Sequence, residues 1–204
     1  ILLKAGDHLV IDAITDYKKD IVTVSGAVRH EGDFSWRKGI RVSDIIPDRE
    51  RLNPTADLDV ALLIRELDGS ADINVKIFEL GNVFSDSSSE DNFELESRDR
   101  IIVLSDYQDR ADAIAPFIAN LKRQVSVGEL PKVVRSGGTV NYPGEYPLSE
   151  GMTVQDLIKL SGGLTESAYS QSAEISRLDL SDPERATTSI IVSDLTSRSP
   201  LSLE

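Results

Sequence analysis

Apolar and polar residues alternate in two short stretches of the chain, and each stretch is followed by turn residues. Residues 21–28 (IVTVSGAV) and 132–140 (KVVRSGGTV) carry β-branched side chains at alternate positions, a pattern typical of strands. Glu31-Gly32 and Pro143-Gly144 follow, and both glycines are expected to take a positive φ in a tight turn. Each stretch is therefore predicted to begin a β-hairpin.

A short helix is predicted after each hairpin. In the later stretch Thr153 is a suitable N-cap with Asp156 three residues on, and Gly162-Gly163 ends the helix. The side chains predicted to be buried on this helix are Val154, Leu157, Ile158 and Leu160. In the earlier stretch Pro47 takes the place of the paired glycines, so the first helix is predicted to be the shorter one.

The two stretches repeat one design at a fixed offset of 112 residues. The register runs without a gap from Gly26 and Gly138 to Arg65 and Arg177. Strand pairs 60–67 with 73–80, and 173–180 with 188–195, follow the helices, the later pair needing about three extra residues near Pro183. The glycines assigned to turns and caps are Gly26, Gly32, Gly39, Gly138, Gly144, Gly151, Gly162 and Gly163. The order ββαββ predicts an α+β unit with a mixed sheet on one helix.

Three segments lie between the copies. They are an acidic loop at 84–93 (FSDSSSEDNF), a closing strand at 98–104 (RDRIIVL) and a helical connector in which Pro116 must start or kink the helix. The apolar residues at helical spacing in the connector are Ile114, Phe117, Ile118, Leu121 and Val125.

The N-terminal residues resemble the closing strand of an absent copy. Residues 3–11 (LKAGDHLVI) match 95–103 (LESRDRIIV) at Leu, Asp and an apolar position. The expected division is a tail of a preceding repeat (1–20), a first unit (21–104), a connector (105–131) and a truncated second unit (132–204), within a longer repeat protein. We expect Leu9 to Ile11 to pair with the second unit, or with a neighbouring molecule's copy of it.

Composition narrows the function classes. A length of 204 residues suits two small domains, and aromatic residues at 5% disfavour an aromatic-rich cofactor pocket. The net charge of -13 and the lack of a Lys/Arg cluster disfavour nucleic acid as a partner. The absence of cysteine excludes disulfides, thiolate nucleophiles and zinc-thiolate sites, and no apolar run is long enough for membrane insertion of this chain.

No catalytic or metal-binding motif is present. The two histidines, His8 and His30, lie on different segments, so no metal site is expected. Asp86 to Asn92 has oxygen ligands that calcium prefers but lacks the spacing of a calcium loop, so a solvated surface loop is expected. The 35 carboxylates leave a glycosidase dyad open without positive support. We therefore expect a protein that is not an enzyme and has no cofactor.

Three aromatic residues lie near the hairpin turns and could stack on sugar rings. They are Trp36, Tyr142 and Tyr146. Tyr142 lies beside the turn and is the best candidate for an exposed ligand contact, because aromatic side chains at loop tips often serve binding. At least one of the other two is expected to belong to the core, since both alternate with polar neighbours.

The sequence VNYPGEYPLSEGMTVQDLIKLSGGL, residues 140–164, resembles the soluble ligand-binding β-grasp (SLBB) domain of bacterial polysaccharide export proteins. The shared pattern is [VS]-x-G-x-V-x-x-x-G-x-[FY], then G-[IM]-x-V-x-D-[IL]-I. The first copy, at 24–46, departs from it with His30-Glu31 for the aromatic-Pro pair and no Gly-Gly. The resemblance implies two β-grasp, ubiquitin-like SLBB units joined by a helical connector.

The same resemblance implies a function. The chain would be a periplasmic module of a capsule or exopolysaccharide export assembly, acting through polysaccharide contact and homo-oligomer formation, with other export components as partners. Association with the outer membrane would come through other parts of the protein. Since SLBB domains also occur in vitamin-binding proteins, a small-ligand-binding carrier with a deep apolar pocket is the alternative.

Overall fold

The computed structural model describes residues 20–67, 71–106, 110–126, 128–169, 171–179 and 187–195, and its α+β class agrees with prediction. The strand expected at Leu9 to Ile11 lies outside these residues. The first unit contains β1 (Ile21–Gly26), β2 (Gly32–Ser35), α1 (Val42–Ile45), β3 (Ala56–Glu66), β4 (Ile73–Phe78), α2 (Leu80–Ser85) and β5 (Arg100–Ser105). After α3 (Arg110–Arg123), the second unit contains β6 (Val133–Ser136), β7 (Gly144–Pro147), α4 (Val154–Leu160), β8 (Ser172–Asp179) and β9 (Thr187–Asp194).

The first unit contains one five-stranded mixed sheet in the order β2-β1-β5-β3-β4. Strand β5 is parallel to β1 and antiparallel to β3, so it joins the two hairpins through the centre of the sheet. A central strand is covered on both faces, which explains why its residues 101–104 are all apolar.

Both faces of this sheet carry a hydrophobic core. Ile101 and Val103 point to the face covered by α1 and α2, whereas Ile102 and Leu104 point to the opposite face. That second face is covered by α3, by Tyr146 of β7 and by residues of α4. The two units therefore share a core.

Helix α3 packs on this shared core with the predicted apolar stripe. Ile114, Ile118 and Leu121 are buried and Phe117 is partly buried against them. Pro116 lies inside the helix on its exposed side, so it does not start the helix. None of the helices within the described residues is long and apolar enough to cross a membrane.

In the described part of the second unit the strands form two separate antiparallel pairs, β6-β7 and β8-β9. The mixed sheet predicted for this unit is therefore not seen, because no strand in the described ranges plays the part of β5. The hairpins nevertheless keep their registers: Ile21 pairs with Ser35, and Val133 with Pro147, 112 positions later.

The second strand pair locates the insertion. Arg65 pairs with Asn74 in the first unit, and Arg177 pairs with Ser189 in the second. The counterpart of Arg65 lies 112 positions later and the counterpart of Asn74 lies 115 positions later, so three extra residues lie between β8 and β9.

Helix α4 has the predicted ends. The Thr153 hydroxyl accepts a hydrogen bond from the Asp156 amide, and the Asp156 carboxylate accepts one from the Thr153 amide at 2.8 Å. At the other end Gly162 and Gly163 have φ of +75° and +84° and donate to carbonyls of the last turn. Helix α4 has seven residues and α1 has four, so the prediction of a shorter first helix is confirmed.

Gly144 contradicts its predicted role. The other seven glycines assigned to turns and caps have positive φ, but Gly144 does not. It already belongs to β7 and pairs with Ser136, so the chain turns before it. A Cβ at Gly144 would make ordinary contacts with Tyr146 and Ala111, at 3.8 and 3.9 Å.

The predicted loop between β4 and β5 is partly helical and is held by hydrogen bonds. Helix α2 begins at Leu80, the last residue of the predicted strand, and buries Leu80 and Val83 against the first core. The Asn92 side chain is buried and accepts a hydrogen bond from the Ser43 amide at 3.0 Å. Two hydrogen bonds from Ser88 lower the pKa of Asp86. Within the described ranges no cluster of three or more His, Asp or Glu residues suits a metal ion.

Candidate functional site at the junction of the two units

A buried arginine fastens the end of α4 to the first sheet. The Arg110 side chain is 1% exposed and donates to the carbonyls of Lys159 and Leu160, at 2.8 and 3.0 Å. It also donates to the carbonyl of Ser105 and forms an ion pair with Asp57 at 2.5 Å. The guanidinium thus satisfies carbonyls at the C-terminal end of α4 while neutralising a carboxylate of β3.

Tyr142 takes part in this contact between α4 and the first sheet and is not a free loop tip. Its hydroxyl donates to the backbone carbonyl of Asp106, and the Arg110 guanidinium lies 5.2 Å from the ring centroid. A Cβ on Gly162 would overlap the Tyr142 ring, so a glycine is needed there for this close approach. Tyr142 is half-buried, and its polar end faces protein.

The other two predicted ligand contacts lie elsewhere. Tyr146 is 0% exposed, and its hydroxyl donates to the Tyr142 carbonyl at 2.5 Å, so its predicted role in stacking on sugars is wrong. Trp36 is half-buried on the opposite face of the first sheet and donates to the Leu95 carbonyl at 2.7 Å. The three aromatic residues therefore do not form one ligand site.

An exposed aromatic residue was missed by the sequence prediction. Tyr169 is 68% exposed in the loop before β8, and its hydroxyl donates to Gln171. Its position inside the polar stretch ESAYSQS was the available signal, because an aromatic residue among polar neighbours in a loop is seldom core.

A pocket of about 200 Å³ lies where the start of α4 meets the ends of β3 and β4. Both units contribute to its wall. Its apolar lining consists of Val60, Ile77, Phe78 and Met152, and its carboxylates are Asp59, Glu79, Asp91, Glu150 and Asp156; Ser149, Gly151 and Lys159 complete it.

The pocket is acidic in spite of its lysine. Lys159 forms an ion pair with Glu79. Burial lowers the pKa of Lys159, but the hydrogen bond and charge of Glu79, helped by Asp156 and Asp59, raise it further, so the net pKa is raised. Asn82 donates to the carboxylates of Glu79 and Asp91 at 3.2 and 2.8 Å. Five carboxylates against one ammonium leave a negative potential in the pocket.

This arrangement suits binding of hydroxyl groups. Carboxylates accept strong hydrogen bonds from hydroxyls, and the apolar lining can contact the C–H face of a small ring. The volume is below the roughly 300 Å³ at which sites for drug-sized ligands begin, and fits a unit the size of one monosaccharide. The same carboxylates repel an anionic group.

The family model of the SLBB domain matches residues 134–187, from β6 to the start of β9. A search of curated proteins found no match. The second unit therefore contains a segment, residues 134–187, that matches the SLBB domain family. The matched range includes Tyr142, Tyr146 and the α4 side of the pocket, while Trp36 lies outside it.

Proposed function

We propose that this chain is a periplasmic module of a bacterial polysaccharide export assembly, acting through glycan contact and oligomer formation rather than catalysis. The SLBB match over residues 134–187 carries the proposal, because SLBB domains are generally found in polysaccharide export proteins. Its partners are the polysaccharide, further copies of the protein and other export components. Outer-membrane association belongs to other parts of the protein.

We further propose that both units are β-grasp domains, at 21–104 and 132–204, joined by the connector at 105–131. The sheet order β2-β1-β5-β3-β4, with first and last strands parallel and central, supports this for the first unit. For the second unit the support is the equal hairpin registers and the bridges Val28 to Leu52 and Val140 to Leu164, again 112 positions apart.

The pocket is the proposed glycan contact. Its carboxylates favour neutral or amine-bearing sugar units over uronic acids, because five carboxylates against one lysine leave the pocket negative. The small-ligand carrier is the less favoured reading, since the pocket is small and its wall is largely polar, whereas a carrier requires a deep apolar cavity.

A deletion tests the assembly role. Removing residues 133–195 from the full-length protein is expected to abolish surface export of polysaccharide while its synthesis continues. Normal export in that strain would contradict the proposal.

Point variants test the pocket. Asp59→Asn with Glu150→Gln is expected to weaken binding of a neutral oligosaccharide, measured by titration calorimetry, and to reduce discrimination against a uronic-acid oligosaccharide. Glu174→Gln is the matched control, because Glu174 is an exposed carboxylate of β8 that does not line the pocket. Equal affinity in all three proteins would place the glycan elsewhere.

A further inference from the structure

We propose that the junction pocket binds the acetamido group of an N-acetylated sugar, with the backbone N–H of Ile77 donating a hydrogen bond to the acetyl carbonyl. The proposal rests on the glycan contact proposed above and names the sugar class that this contact selects. It depends on the outer edge of β4, which forms part of the pocket wall.

Strand β4 lies at an edge of the first sheet, where it pairs with β3 on one side. In an antiparallel pair, the backbone groups of successive residues point alternately toward the partner strand and away from it. The Ile73 amide donates to the Gln124 side chain at 2.9 Å, so it points away from β3. The Val75 amide also points away, since it donates to the side-chain oxygen of Asn74 at 2.9 Å. Ile77 follows in the same unbroken register, so its N–H points outward as well.

The two ends of this edge differ in what satisfies them. At the start of β4, the Gln124 side chain accepts from the Ile73 amide and donates to the Ile73 carbonyl, at 2.9 Å each. An added strand therefore finds these groups already occupied. At the other end Ile77 lines the pocket, and among the described residues no group accepts a hydrogen bond from its N–H. The edge thus offers the pocket a single donor, which suits one amide group better than a strand.

An acetamido group matches this donor because it is itself an amide. Its carbonyl oxygen accepts a hydrogen bond from the Ile77 N–H as a strand carbonyl does in a sheet. Its own N–H points in the opposite direction, because the amide is planar and trans. The pocket supplies acceptors for it in Asp59 and Glu150, whose carboxylates accept no hydrogen bond from the other described residues.

The acetyl methyl group has an apolar surface to contact in the same pocket. Val60, Phe78 and Met152 line the pocket, and each is at most 2% exposed. A hydroxyl in place of the acetamido group lacks both the methyl and the carbonyl, so it loses both interactions. The acetamido group is also uncharged, so the negative potential of the pocket does not repel it.

Titration calorimetry of the full chain with two trisaccharides tests the sugar class. The trisaccharide of N-acetylglucosamine is compared with cellotriose, which has the same linkage and a hydroxyl in place of each acetamido group. The acetylated trisaccharide is expected to bind about tenfold more tightly, from one hydrogen bond and one buried methyl group together. Equal affinity, or tighter binding of cellotriose, would overturn this inference and leave the glycan contact standing. Binding of neither trisaccharide would overturn both.

A pair of variants tests the Ile77 N–H. Ile77→Pro removes this donor, and an edge strand tolerates proline where the N–H points away from the sheet. Ile77→Ala is the matched control, because it loses the same side chain and keeps the N–H. Both variants are expected to lose affinity with the side chain, but only Ile77→Pro should also lose the preference for the acetylated trisaccharide. A preference that survives in Ile77→Pro, with circular dichroism showing that this variant is folded, would reject Ile77 as the donor.

The amide signal of Ile77 gives a second measurement that does not require the proline variant to fold. In protein isotopically labelled at isoleucine, the signal is identified by its disappearance from the spectrum of Ile77→Val. Saturation with the acetylated trisaccharide should move the amide proton of Ile77 downfield, as a hydrogen bond to a carbonyl does, and cellotriose should move it several-fold less. An Ile77 signal that does not move when the acetylated trisaccharide is bound would overturn the proposal.

Discussion

The two units are built from hairpins of the same register, but they differ in what lies between those hairpins. In the first unit a central strand joins them into one sheet, and Val75, on the face of that sheet that forms the shared core, is 2% exposed. Within the described residues of the second unit the hairpins are separate pairs, and Ile190, the counterpart of Val75, is 66% exposed. Local sequence signals are therefore enough to form the hairpins and short helices, whereas burial of the strands depends on the elements that join and cover them.

The largest effect is expected where the units meet. Arg110→Met should lower the free energy of unfolding by about 3–5 kcal/mol, because it leaves Asp57 without its buried ion pair and frees the end of α4. Urea unfolding measures this loss. Arg110→Met with Asp57→Leu should recover part of it, and a single-variant loss below about 1 kcal/mol would contradict the role given to Arg110.

The matched glycines sharpen the comparison. Gly26→Ala should cost at least about 3 kcal/mol, since strain at positive φ adds to overlap with Val103. Gly138→Ala should cost only about 1 kcal/mol, from backbone strain at positive φ, because none of the described residues has an atom within 4 Å of the added Cβ. Thermal unfolding of the two variants beside the parent protein compares the costs. Equal costs at both glycines would contradict the distinction between the units.

A smaller contrast is expected between the matched positions Val75 of β4 and Ile190 of β9. Val75→Ala should cost about 2 kcal/mol, because it opens a cavity in the shared core. Ile190→Ala should cost less than about 0.5 kcal/mol, because the side chain is already exposed. Chemical denaturation of the two variants measures both, and a large loss at Ile190 would mean that another molecule covers β9.

The smallest effect concerns Asp106 at the junction. Burial and the neighbouring Asp57 and Asp59 raise the pKa of Asp106 above its ordinary value of 3.8, against the opposing charge of Arg110. A raised pKa means that the folded state binds the proton more tightly, so this group disfavours folding above its folded pKa and ceases to do so as pH falls.

Asp106→Asn should therefore stabilise the protein at pH 7 by less than about 0.5 kcal/mol, since the side chain is more than half exposed and solvent screens its charge. The gain should vanish below pH 3.8, where the carboxyl is protonated in both states. Denaturation curves of both proteins at the two pH values test the sign, and a gain that grows on acidification would contradict it.

Much of the fold follows from local signals. Three features could be predicted from the sequence because each depends on neighbouring residues: the Thr153 cap, the Gly162-Gly163 helix end and the three-residue insertion near Pro183. Helix α2 could not be predicted, since a six-residue segment with three large apolar side chains is too short to define a helical period.

The junction site is less predictable for a different reason. Arg110 acts on carbonyls 49 and 50 positions away, and the pocket draws carboxylates from both units, so no local pattern marks either. Tyr142 and Tyr146 were identified as important positions by their place near a turn. Whether each tyrosine ring is buried depends on Gly162 and on the first sheet, which lie far from the two tyrosines in sequence.

The shared core has a geometric consequence for any assembly of this chain. Because side chains of β3, β5, α3, β7 and α4 pack in one cluster, the β7 and α4 part of the second unit is held against the first sheet by close packing. A larger side chain at Ile118 would push these elements apart and so change the orientation in which the second unit meets any partner.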